Sequence, residues 1–106
     1  MRSKIHSYLG FARKSRNLVA GYNACCDAVK RNQVKLLLLA GDLSENTIKY
    51  FQKLSTERGL ALRVYEDRET LTSMTGLSRG VYGITDQGLA QGILREIDGK
   101  GRRPDR

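Results

Sequence analysis

Acidic residues are missing from the first quarter of this chain: none precedes Asp27, whereas Arg2, Lys4, Arg13, Lys14 and Arg16 do. Long apolar runs are missing too. The longest, Val34 to Ala40, is broken by Lys35, well short of the ~18 residues needed to cross a membrane. Ile5 to Ala12 is interrupted by His6, Ser7 and Gly10, so it lacks the apolar core of a secretory signal. The expectation is a soluble, cytoplasmic protein with no membrane partner.

Catalytic and metal-binding constellations are equally scarce. The two cysteines, Cys25 and Cys26, are adjacent, and neighbouring side chains on a helix diverge by ~100°, so they give neither a disulfide framework nor a tetrahedral metal site. They read as small core residues in a reducing compartment. His6 is the only histidine and has no cysteine cluster to match. Neither the GxGxxG spacing of dinucleotide sites nor the GxxxxGK[ST] spacing of phosphate loops occurs. Asp42, Glu45, Asp67 and Asp86 stand at helix starts, where capping explains them. With no nucleophile beside a base, no enzymatic activity, cofactor or metal is expected.

What the chain has is basic charge, unevenly placed. Its 19 Lys and Arg against 11 Asp and Glu give a net charge of +8. Eight basic residues and one acidic fall before Asp42, seven and nine between Asp42 and Asp98, and four and one from Gly99 onward. Basic charge gathered in one region gives a one-sided field, which suits a polyanion such as nucleic acid.

A length of 106 residues suits one compact domain. Ser3 precedes a helix with Ile5, Tyr8, Leu9 and Ala12 at helical spacing and Arg13 and Lys14 at its negative end. After a polar turn, Leu18 to Ala20 make a minimal strand ending at Gly21. The second helix follows to about Arg31, with Ala24, Cys25, Ala28 and Val29 on its buried side and Lys30 and Arg31 at its end. Val34 to Ala40 suits a central strand covered on both faces. Ser44 caps a third helix stopped by Gly59, Leu60 to Tyr65 form a strand, and Asp67 caps a fourth, short helix. The loop GLSRG, Gly76 to Gly80, leads into the last strand, Val81 to Thr85, and Asp86 starts the final helix. The tail from Gly99 to Arg106 has nothing apolar to bury and is expected to be disordered. The pattern predicts an α/β protein, a three-layer sandwich around about four strands, in a single domain over residues 1–98.

Two places could receive an anion. Gly21 lets a ligand approach the backbone, and Tyr22 and Asn23 sit where a helix presents unpaired N–H groups. In GLSRG, Arg79 between two glycines can meet a phosphate, and Leu77 can touch an unstacked base. Either glycine-rich turn could equally be a plain connector.

The stretches LGFARKSRNLVAG, the apolar strand with DLSENT after it, and the GITD start of the last helix resemble the kink-turn RNA-binding superfamily of ribosomal proteins. The likeness is to the large-subunit seven-Ae and thirty-e type, nearest its bacterial YlxQ-like branch, and extends to about Ile97. It implies an α/β/α sandwich with a four-stranded mixed sheet. It also implies RNA bound by the start of the second helix and the loop before the last strand. Of the family pattern G-x-N-E-x-x-K, Gly21 and Asn23 match, whereas Ala24 and Asp27 replace the glutamate and the lysine.

The expected function is non-enzymatic RNA binding by a ribosome-associated, monomeric protein, the RNA being ribosomal or a structured messenger. Gly21, Tyr22, Asn23, Gly76, Leu77 and Arg79 would make the contacts, and Arg13, Lys14, Arg16, Lys30 and Arg31 would steer and hold phosphates. The alternative is an adaptor whose basic face docks an acidic surface of the translation or transcription machinery.

Overall fold

The computed structural model describes residues 4–101. Along the chain it forms α1 (Lys4–Lys14), β1 (Leu18–Ala20), α2 (Tyr22–Lys30), β2 (Leu36–Leu39), α3 (Glu45–Arg58), β3 (Ala61–Val64), α4 (Arg68–Thr75), β4 (Val81–Ile84) and α5 (Gln87–Gly101). The strands lie in the order β1-β4-β2-β3, with β2 parallel to β3 and β4 antiparallel to both neighbours. This is the expected four-stranded mixed sheet.

Alternation along the strands builds the two cores. Leu36 and Leu38 of β2, with Tyr82 and Ile84 of β4, pack against Ile5 and Leu9 of α1, Leu71 of α4 and Ile93 of α5. Leu37, Leu39 and Val81 face the other way, onto Cys25 and Val29 of α2 and Phe51 of α3. A strand inside a sheet covered on both faces needs apolar residues at every position, which explains the uninterrupted leucines of β2.

The helix ends follow local chemistry. The Ser44 hydroxyl accepts from the Thr47 N–H at 3.1 Å, and Gly59 closes α3 in the left-handed conformation at φ 63°. Two carboxylates serve the start of α4: Asp67 accepts from Thr70 N–H at 2.8 Å and Asp42 from Arg68 N–H at 2.9 Å. The backbone hydrogen bond from Thr70 holds the Asp67 carboxyl below its ordinary range.

Two expectations are corrected. Ala24 is exposed, not buried, because the apolar stripe of α2 runs through Cys25, Cys26, Ala28 and Val29. Residues 99–101, expected in a disordered tail, belong to α5. Asp98 explains the continuation: Arg63 Nε and Nη2 donate to its two carboxylate oxygens at 2.9 and 2.8 Å, tying the late turns of the helix to edge strand β3. The rest of the expected tail, 102–106, and Ser3, expected to cap α1, lie outside the described residues.

Candidate nucleic-acid interface

The antiparallel pairing of β1 with β4 brings the two candidate loops together. Gly21 leaves β1 at the end where β4 begins, and its N–H donates to the Val81 carbonyl at 2.9 Å. The loop Gly76 to Gly80 enters β4 at that same end of the sheet. Gly21 has φ 110° and ψ 153°, a conformation that L side chains rarely adopt.

Among the described residues no side chain caps α2 at Gly21. The first N–H groups of the helix, at Tyr22, Asn23 and Ala24, are therefore open to a ligand at the positive end of the helix dipole. Asn23, Ala24 and Asp27 are all exposed, so the positions that carry the family pattern share the outer face of α2.

Arginines lie over both glycines. Cδ of Arg79 is 3.7 Å, and its Nε 3.9 Å, from the point where a Cβ on Gly21 would stand. The Arg13 guanidinium occupies the space that a side chain on Gly76 would need, and its Nη1 donates to the Thr75 carbonyl at 3.1 Å. Arg13 is thus fixed to the loop, while Arg79 is exposed above the open helix end.

The loop is fastened from below. Tyr82 is fully buried, and its hydroxyl donates to the Leu77 carbonyl and accepts from Arg79 N–H at 3.4 Å. The Thr75 hydroxyl donates to Leu71 O at 2.8 Å and accepts from Leu77 N–H at 3.1 Å. Sequence reasoning placed Tyr82 only as a strand residue and passed over Thr75. The signal was there, since a buried tyrosine needs a partner for its hydroxyl.

Tyr22 makes an aromatic cluster. Its ring stacks on Tyr50 with centroids 5.5 Å apart and meets the edge of Phe51 at 5.0 Å. Tyr22 and Tyr50 stay 44% and 38% exposed, leaving ring surface beside Asn23 for a base. Tyr50 was not anticipated, because it comes from a helix distant in sequence.

The other residues expected to make contacts are spread more widely over the molecule. Leu77 is half-buried and packs against the α1 side of the core, because the Tyr82 and Thr75 hydrogen bonds turn the loop inward there. Lys14 is exposed at the last position of α1. Arg16 lies in the following turn at φ 64°, at the far end of β1, where Asn17 O accepts from Thr85 N–H at 2.9 Å. Lys30 and Arg31 close α2 at the end opposite Gly21, so they belong to a different edge of the molecule.

An α/β/α sandwich whose glycine-opened helix end meets an arginine-bearing loop matches a known class. Residues 3–92 match the model of the ribosomal protein L7Ae/L30e/S12e/Gadd45 family, and the chain belongs to that family. It is 28% identical over 98 residues to the RNA-binding protein YlxQ of Enterococcus faecium, covering 92% of this chain and 95% of that one. It is 30% identical over 91 residues to YlxQ of Bacillus subtilis strain 168, covering 85% and 91%. A solved structure from Bacillus halodurans C, a protein of unknown function, superposes with a TM-score of 0.88 at 28% identity, covering 92% of this chain and 99% of that one.

Proposed function

We propose that this chain is a non-enzymatic RNA-binding protein that docks a sharply bent, kink-turn-like RNA on the Gly21 junction, within the ribosomal setting its family name describes. The observation that carries the reading is the uncapped start of α2 with Arg79 laid over Gly21. Backbone N–H groups, helix dipole and guanidinium converge there on one anion, which suits an RNA phosphate. Beside it, Asn23 offers an amide to a base edge and Tyr22 offers a ring face to an unpaired base. The YlxQ relatives are named as RNA-binding proteins, which supports the same reading.

Ala24 and Asp27 set its specificity. A methyl group stands where the family pattern places a carboxylate that accepts from a guanine edge, and an anion where it places a cation. Base-edge contacts are worth ~1–3 kcal/mol of discrimination each in duplex DNA. The electrostatic part of binding persists, and preference for the kink-turn over other folded RNA is weak.

Titration of a kink-turn RNA, a version with its G·A pairs replaced, and an unstructured strand tests this across salt concentrations. Expected are binding of all three at low salt and a preference for the kink-turn below about tenfold, the loss of one strong base contact. Arg79→Glu lowers the slope of log affinity against log salt by about 1. Gly21→Ala weakens binding because its φ of +110° is one that an L side chain rarely adopts, so the junction must shift. No affinity for any of the three at low salt refutes the proposal.

A further inference from the structure

A cleft of about 470 Å³ opens at the other end of the sheet, where α2 and α3 finish, β2 and β3 begin and α5 starts. Its polar lining is Asn32, Lys35, Arg58, Gln87 and Gln91; the remainder is aliphatic side chain and Gly59. Its volume falls in the ~300–1,000 Å³ range of small-molecule sites. Among the described residues no carboxylate lines it and neither Lys35 nor Arg58 has a carboxylate partner.

Two of the polar groups, Arg58 and Asn32, are hydrogen-bonded to one another. Arg58 Nη1 donates to Val29 O at 3.5 Å, Lys30 O at 3.4 Å and Asn32 Oδ1 at 3.3 Å. Those long, shared contacts rest one guanidinium nitrogen against the carbonyl end of α2 and leave its other nitrogens uncommitted among the described residues. They also occupy the Asn32 oxygen and leave its amide nitrogen as a donor. Two cations with no carboxylate between them suit an anion, although Arg58 already faces the negative carbonyl end of α2, and three amides above an aliphatic floor suit a flat, polar-edged ring.

We propose that this cleft is a second site, separate from the Gly21 junction, that takes one nucleotide unit. Its phosphate sits on Lys35 and Arg58, and its base lies on the aliphatic floor with its edge toward the amides of Asn32, Gln87 and Gln91. The nucleotide is either free or part of an RNA strand, and the chemistry of the contact is the same.

NMR titration of the full chain with adenosine 5′-monophosphate, adenosine, inorganic phosphate and a tetra-adenylate RNA tests the site. Adenosine 5′-monophosphate shifting the Gln87 and Gln91 side-chain amides and the Lys35 backbone, with Gly21 and Arg79 unmoved, identifies a free nucleotide. Shifts of those cleft signals by the tetranucleotide alone identify a strand. Either result supports the site if adenosine binds about tenfold more weakly than its phosphate-bearing counterpart and exposed Lys35→Glu costs a similar factor. The proposal is overturned if no nucleotide moves these signals at millimolar concentration, or if Lys35→Glu binds as the wild type does. It is also overturned if inorganic phosphate binds as tightly as the nucleotide. The junction is read in the same spectra, so failure of RNA binding at Gly21 is seen separately.

Discussion

Cys25 has no exposed surface, and its thiol points at two backbone carbonyls, Val19 O at 3.5 Å and Val81 O at 3.7 Å. Burial, with a smaller contribution from Cys26, pushes it up from 9.0 to about 12. The unfolded chain therefore loses this proton first as pH rises, and the contribution of the group to stability, complete below 9, declines between 9 and about 12. Denaturation of wild type and Cys25→Ala across that window should show the wild type losing more stability, and the folded thiol should resist a disulfide reagent at pH 8. Side-chain chemistry was readable at this scale: buried cysteines, an unusual glycine at 21, an exposed Asn23 and a cationic Arg79. Direction was not. The half-buried place of Leu77 against the core was not legible, because its main chain is held by the hydroxyls of Tyr82 and Thr75, one arriving from the next strand.

Among the elements, the crossing of α1 and α5 is set by a missing side chain. A Cβ on Gly92 would come within 2.8 Å of the Tyr8 ring, and a ring held between two helices cannot swing away as a flexible chain end could. Overpacking of this kind costs ~1–3 kcal/mol, more than the ~1 kcal/mol that alanine gains over glycine inside a helix. Gly92→Ala should therefore lower the urea midpoint, and a companion Tyr8→Ala change should relieve part of that clash, whereas additive losses would refute the contact. Element types and caps were legible because Ser44, Gly59 and Asp67 act on their own neighbours. The end of α5 was not, since nothing from Gly99 onward is apolar and the Arg63–Asp98 pair joins positions 35 residues apart.

For the whole molecule, strand order is the information that local pattern cannot carry. Alternating strands and helices suggest parallel neighbours; the resemblance to a known family supplied a mixed sheet, and the place of β4 between β1 and β2 is read from the structure. Order also decides which charges share a surface. Arg79 and Arg13, 66 positions apart, lie over Gly21 and Gly76, while Lys30 and Arg31, close to Gly21 in sequence, come at the opposite end of α2 and Arg16 at the far end of β1. Because β2 supplies both cores, Leu37→Ala on one face and Leu38→Ala on the other should each cost ~2–5 kcal/mol. Both variants should still melt in one transition when followed by tyrosine fluorescence and by helical circular dichroism. Two separated transitions would show that the layers unfold independently.

The buried hydroxyl of Tyr82 reaches beyond folding. With Leu77 and Arg79 already tethered to the core, the loop before β4 has little freedom left to surrender when a partner arrives. Association is then a rigid docking governed by charge attraction and the release of counterions, with a small heat-capacity change and a rate that drops steeply as salt is added.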